Sequence, residues 1–206
     1  MKNNNIGRII GVDPGSRSSG MVVLDGSDII GAFNLDNEVD LFSKISKYSL
    51  HSNLMVVIED IKPYTLRLTP DVIDTCKFIG MLVYRLKIAA GLNVELLSRF
   101  EVKKWCFDRF PHVCMPLIEA KINKKLFEAS DIVSREVKLL DNRGKPARKG
   151  SFIYCDDKIV IECMKDYYSI PVPEKRGKFK YGLKTHSFQA LALVSCFNDK
   201  AIDISV

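Results

Sequence analysis

Two acidic residues stand where buried chain gives way to solvent. Asp13 follows the apolar run Ile9-Ile10-Gly11-Val12, and Glu59 follows Met55-Val56-Val57-Ile58. A single acid after a strand commonly forms a turn or caps a helix, so neither residue says much alone. Two in matching positions can converge on one spot, and hard oxygen ligands converging from separate segments are what a divalent cation requires. The chemistry this permits is phosphodiester cleavage, in which two ions roughly 4 Å apart activate a water and neutralise charge on the attacking and leaving oxygens.

Positioning the acids falls to a series of strands and helices. Arg8 to Val12, Gly20 to Leu24 and Asp28 to Phe33 read as three consecutive antiparallel strands. The first ends in Asp13-Pro14-Gly15 and the second in the turn pair Asp25-Gly26. The spacing of Val39, Phe42 and Ile45 predicts a helix over 38–48, and Leu54 to Ile58 reads as a fourth, buried strand. A helix should run from Pro70, with Thr69 as its N-cap, to about Ala90 and stop at Gly91. Val94 to Leu97 reads as a fifth strand, followed by a short helix over Val102 to Phe107, a stretch from Pro111 to Leu140 that reads as helical after Pro116, and another helix over Asp156 to Tyr168. The last helix starts near Thr185 and carries His186, Gln189, Ala190, Leu193 and Phe197 along one face. This order is that of an α/β domain with a mixed five-stranded sheet flanked by helices, and it resembles a ribonuclease-H-like domain.

The chain has 206 residues, 47% of them hydrophobic, enough for one substantial core. It reads as a single domain over 1–206 with a helical and basic-loop insertion at about 108–154. No stretch approaches the ~20 uninterrupted apolar residues of a membrane helix, and Met1 to Gly7 is polar, so a cytoplasmic protein without a membrane partner is expected. Cys76, Cys106, Cys114, Cys155, Cys163 and Cys196 are scattered singly and read as reduced packing residues, not as a zinc site or a disulfide framework.

Charge is unevenly distributed. From Lys121 to Lys180 there are fifteen basic against nine acidic residues, which accounts for the whole net charge of +6. Arg143, Lys145, Arg148 and Lys149 form one acid-free patch; Lys175, Arg176, Lys178, Lys180 and Lys184 form another. A basic run is often just a solvated loop. Two in one domain point toward a polyanion, because each neutralised phosphate releases a counterion.

Gly11-Val12-Asp13-Pro14-Gly15-Ser16-Arg17-Ser18-Ser19-Gly20 resembles the opening signature of the RuvC family of Holliday-junction resolvases, and Val57-Ile58-Glu59 is similar to their second acidic strand. His186-Ser187-Phe188-Gln189-Ala190-Leu191-Ala192-Leu193 resembles the family's final helix. The resemblance implies a structure-selective endonuclease that nicks four-way or branched DNA, with two Mg²⁺ or Mn²⁺ ions per active site and no nucleotide cofactor. By the same resemblance Asp13 would bridge both ions, Glu59 would bind one, and His186 and Gln189 would take the remaining ligand places. Gln189 departs from the family's usual acid and brings no charge, a loss that Asp60, Asp156 or Asp157 could offset. Lys103 matches a family lysine beside the scissile phosphate. Lys158 matches a second, while Arg17, Arg67 and Lys104 would add backbone contacts. Tyr64 falls where the family wedges an aromatic into the junction, a role suited to stacking an unpaired base.

A junction of approximate twofold symmetry suits a C2 homodimer, and similar resolvases pair through the helix corresponding to Asp71 to Ala90. That helix is unusually apolar. Three other readings compete: an actin-like ATPase, which needs a second domain that this length does not accommodate; a nuclease of the same fold acting on structured RNA; and a junction-binding protein weakened in catalysis, for which Gln189 speaks. The compactness and divergence of the chain suit a phage or mobile-element enzyme.

Overall fold

Every residue of β1 (Arg8–Asp13) from Ile9 onward is buried, as are most of β2 (Ser18–Asp25) and the centre of β4 (Met55–Asp60). Strands apolar on both faces must be covered on both. The computed structural model, which describes residues 7–49, 53–61, 69–130, 155–171 and 182–203, meets this requirement with three layers. With β3 (Asp28–Asp36) and β5 (Asn93–Ser98), the strands form one mixed sheet in the order β3-β2-β1-β4-β5. β1, β2 and β3 pair antiparallel, while β4 runs parallel to both β1 and β5. This is the ribonuclease-H-like α/β arrangement.

Side chains alternate across each strand, so the two faces separate cleanly. Ile10, Val12, Val56 and Ile58 pack against α1 (Phe42–Tyr48) and α2 (Pro70–Val83) through Ile45, Phe78, Ile79 and Leu82. Ile9, Val22 and Val57 face a thicker layer made by α3 (Arg99–Arg109), α4 (Pro111–Ser130), α5 (Asp157–Tyr167) and α6 (Thr185–Asp203). Among the described residues no helix is long and apolar enough to cross a membrane.

Local sequence explains the boundaries. The Thr69 hydroxyl accepts a hydrogen bond from Val72 N at 3.4 Å, and Pro70 opens α2 where no N–H is needed. The helix continues through a wider turn over Tyr84–Ala89 and ends at Gly91, whose φ of 66° favours glycine. Asn37–Leu41 forms a similar wide turn, so α1 is shorter than the helix expected over 38–48. Two other starts differ from expectation. α4 begins at Pro111, a first-turn position that needs no N–H, and continues through Pro116 inside it. α3 begins at Arg99, not Val102, because Ser98 and Glu101 form a reciprocal capping box. The cysteines, though scattered in sequence, gather in space: Cys106, Cys114, Cys155 and Cys163 share one core cluster, with the Cys114 and Cys163 sulfurs 3.5 Å apart as free thiols.

The capping box makes a prediction about stability. Burial opposes ionisation of Glu101, but hydrogen bonds from the Ser98 hydroxyl and backbone, together with Lys200, outweigh it and hold the carboxyl at about 2. A carboxyl depressed in this way stabilises the fold above its ordinary value of 4.5 and loses that contribution as pH falls toward about 2. Glu101→Gln should therefore destabilise the protein at neutral pH, by less than about 1 kcal/mol since the group is partly exposed. In urea melts, the difference from wild type should fade as pH is lowered from 4.5 toward 2.

Candidate active site

The site begins with strand register. Parallel pairing sets Val12 beside Ile58, which makes Asp13 and Glu59 the next neighbours along adjacent strands, about 4.8 Å apart at the backbone. The two-residue period then turns both acids toward α6, the face that Ile9 and Val57 also line. Asp13 is 4% exposed and Glu59 6%. Their carboxyl groups are in hydrogen-bonding contact with each other. Burial, and then that bond, push Glu59 well above the usual carboxylate range. Burial pushes Asp13 the same way, but hydrogen bonds from His186 and Glu59 and the charge of Arg99 outweigh it and bring Asp13 down. The pair is thus driven apart in proton affinity, Glu59 toward the protonated form and Asp13 toward the ionised one.

α6 reaches the acids because glycine lets it. Gly20 pairs with Asp13 across the β1–β2 ladder, and the first turn of α6 lies directly on it: a Cβ there would come 2.3 Å from the His186 carbonyl. Gly11 does the same further along, where a Cβ would sit 2.5 Å from the Ala190 carbonyl oxygen. With the helix pressed onto the strands, His186 Nδ1 lies 2.8 Å from Asp13 Oδ2. That bond raises the imidazole above its ordinary value. Gln189, one turn on and 6% exposed, donates from Nε2 to the Asp157 carbonyl oxygen at 3.2 Å.

The opposite wall comes from the starts of α3 and α5. The capping box fixes the first turn of α3 so that Arg99 reaches two acids, with Nη2 3.0 Å from Asp157 Oδ1 and Nε 3.5 Å from Glu59 Oε1. Lys103, one turn later, places Nζ 3.8 Å from the same Asp157 oxygen. Arg99 Nε is buried and has no hydrogen-bond acceptor among the described residues.

Asp13, Glu59, Lys103, His186 and Gln189 therefore come together. Of the acids considered as substitutes for the charge missing at Gln189, Asp157 joins the cluster. Asp156 caps α5 by accepting from Lys158 N and Ile159 N, and Asp60 sits one residue past Glu59, on the other face of the sheet. Arg17 is exposed in the loop after Asp13, which Asn37 ties down through bonds to the Gly15 and Arg17 carbonyl oxygens at 2.7 and 3.1 Å. Lys158 is exposed in the first turn of α5, and Lys104 pairs with Asp108. Tyr64, Arg67, Arg143, Lys145, Arg148 and Lys149 lie outside the described residues. Sequence reading passed over Arg99 and Asn37; the Ser98-x-x-Glu101 spacing was the available signal for the first.

These residues suit a hard divalent cation in their chemistry. Two buried carboxyls in contact, one of them drawn toward protonation, can take an ion in place of the proton, which removes their mutual repulsion. Asp13 and Glu59 would hold such an ion, with His186 as a third donor. As placed, no three His, Cys, Asp or Glu side chains among the described residues form a ready cage. His186 spends its Nδ1 on Asp13, and the Arg99 guanidinium occupies the space between Glu59 and Asp157.

No protein-family model matches the chain, and no curated protein matches it. Among solved structures it is similar to Thermus thermophilus RuvC in complex with a Holliday junction substrate, at 10% identity over 95% of each chain and a TM-score of 0.53. A Thermus thermophilus RuvC structure aligns at 11% identity over 95% of this chain and 96% of that one, with a TM-score of 0.49. The first of these establishes a RuvC-like fold.

The Asp13–His186 bond has a spectroscopic consequence. In the cation-free protein, NMR should show His186 titrating above 6.5, its ordinary value. Asp13→Asn should return it toward that value. A histidine that titrates identically in both proteins would contradict the contact.

Proposed function

We propose that the chain is a metal-dependent endodeoxyribonuclease of the crossover-junction resolvase type, nicking four-way or branched DNA by phosphodiester hydrolysis. The observation that carries this reading is the buried Asp13–Glu59 pair, brought under the start of α6 with His186 on Asp13. Buried acids with proton affinities shifted in this way cost stability and gather at functional sites. The fold supplies the context: Thermus thermophilus RuvC, which shares it, is complexed with a Holliday junction substrate.

A divalent ion held by Asp13 and Glu59 would supply an activated water and a counter-charge for the phosphate. The chain's own residues do the rest. His186 would complete the ligand set, and Gln189 braces the backbone at Asp157 from the next turn of α6. Lys103 and Arg99 hold fixed positive charge beside the acids, where negative charge builds on the pentavalent phosphorus. Arg17, Lys104 and Lys158 are exposed on the elements that carry these groups and would take neighbouring phosphates. Tyr64, Arg67 and the patch from Arg143 to Lys149 are assigned to DNA on charge and resemblance.

Resolution needs two matched nicks, which a C2 homodimer provides. α2 and the turn that continues it expose Ile73, Met81, Tyr84 and Ile88, the last two at 62% and 66%, on one stripe. The open surface at Gly80 lies within that stripe. Apolar residues grouped in this way mark a protein contact, and a second copy of the chain is the proposed occupant.

Two experiments test the reading. Asp13→Asn should lower Mg²⁺-dependent nicking of a synthetic four-way junction by roughly 10³-fold or more, the loss of several kcal/mol of transition-state stabilisation, while junction affinity persists. Nicking that survives the substitution would sink the enzyme assignment, and structured RNA cleaved in preference to the junction would redirect the substrate. For the dimer, sedimentation should give twice the chain mass for wild type and the chain mass for Tyr84→Glu with Ile88→Glu; a monomeric wild type would refute it.

A further inference from the structure

We infer that the site takes a single divalent cation, and that the Arg99 guanidinium stands permanently where a second ion would otherwise bind. The inference deepens the nuclease reading and rests on it. Its first support is occupancy. Arg99 bridges Glu59 and Asp157, so Asp157, the one acid left once Asp13 and Glu59 hold the first ion, and the flank of Glu59 that it would share with a further ion are both already taken. Its attachment is built in, because the capping box of Ser98 and Glu101 fixes the turn from which Arg99 projects.

Charge balance is the second support, and it is independent of the first. The acids facing the site are Asp13, Glu59 and Asp157. One dication together with Arg99 and Lys103 already more than neutralises them, so a second dication would enter a site with no negative charge left to hold it. The residue that could have supplied that charge is Gln189, and its amide donates to a backbone carbonyl. An arginine across the acids and an amide in the α6 position are mutually consistent, since each removes the need for the other's alternative.

The third support is the unsatisfied donor. Among the described residues Arg99 Nε is buried without a hydrogen-bond acceptor, the nearest carboxyl oxygen being Glu59 Oε1 in an ion pair at 3.5 Å, a costly state for a guanidinium. It borders the same acids on which the reacting phosphate would centre. A phosphate oxygen is the acceptor this geometry lacks, and a planar guanidinium binds phosphate oxygens well. Arg99 thus supplies by a fixed side chain the counter-charge that the second ion of a two-ion site brings from solution.

The test counts ions without measuring turnover. The full chain, free of DNA, is titrated with Mn²⁺ by calorimetry, and bound Mn²⁺ is read by electron paramagnetic resonance. Wild type should bind about one ion per chain, as a one-ion site requires. Arg99→Ala combined with Gln189→Asp, which removes the fixed cation and restores an acid, should bind about two, with the coupled line broadening of a close ion pair. Two ions in wild type would overturn the inference. So would a folded double variant that still binds one, folding being verified by its thermal melt. The wild-type count stands even if the variant fails to fold. The outcomes also separate the two claims: two ions in a protein that nicks junctions defeats only this inference, whereas one ion in a protein that nicks no junction defeats only the nuclease reading.

Discussion

Placing two carboxyl groups side by side in the interior is the constraint on which the rest of the molecule depends. Parallel pairing of β1 and β4 forces it: once Val12 sits beside Ile58, Asp13 and Glu59 are neighbours on the same face. Two ionised acids at that separation, each almost wholly buried, repel strongly and are poorly solvated. The protein responds by pushing the two acids apart in proton affinity, Glu59 up and Asp13 down, and by surrounding them with His186 and Arg99.

Each surrounding element can be understood as part of that response. Gly11 and Gly20 remove side chains from the sheet so that α6 can descend and bring His186 to Asp13. The capping box at Ser98 aims Arg99 across Glu59 to Asp157, and Asp156 fixes the start of α5 where Asp157 stands. These devices rest on helix ends and close backbone contacts, which are stiff, so the cluster is positioned by regular structure. The apolar contacts on both faces of the sheet provide the stability that such a cluster draws down.

Much of this was legible in the sequence, and the parts that were not share a cause. Apolar runs ending in Asp13 and Glu59 identified both acids and the strands beneath them. Thr69, Pro70 and Gly91 marked the ends of α2 together with the wide turn that continues it, because cap chemistry is local. The start of α3 was placed too late, since its first turn carries exposed or half-exposed residues and periodicity begins only at Val102, although the Ser98-x-x-Glu101 pattern was present. The same pattern marks the helix start on which Arg99 stands but not what Arg99 reaches. Its partners Glu59 and Asp157 come from other strands and helices, and only the folded chain brings them within reach. The gathered thiols of Cys106, Cys114, Cys155 and Cys163 were hidden for the same reason.

The measurement that bears most directly on the buried carboxyl pair is the thermal stability of Glu59→Gln with and without divalent cation. An acid whose pKa is raised by burial destabilises the fold above the ordinary carboxylate range, so an isosteric amide should raise the cation-free melting temperature at neutral pH. The gain should shrink as pH falls below 4.5, the ordinary value. Mg²⁺ or Mn²⁺ should stabilise wild type and leave the variant unmoved. A variant that melts lower than wild type without cation, yet keeps the full cation-dependent shift, would contradict the account.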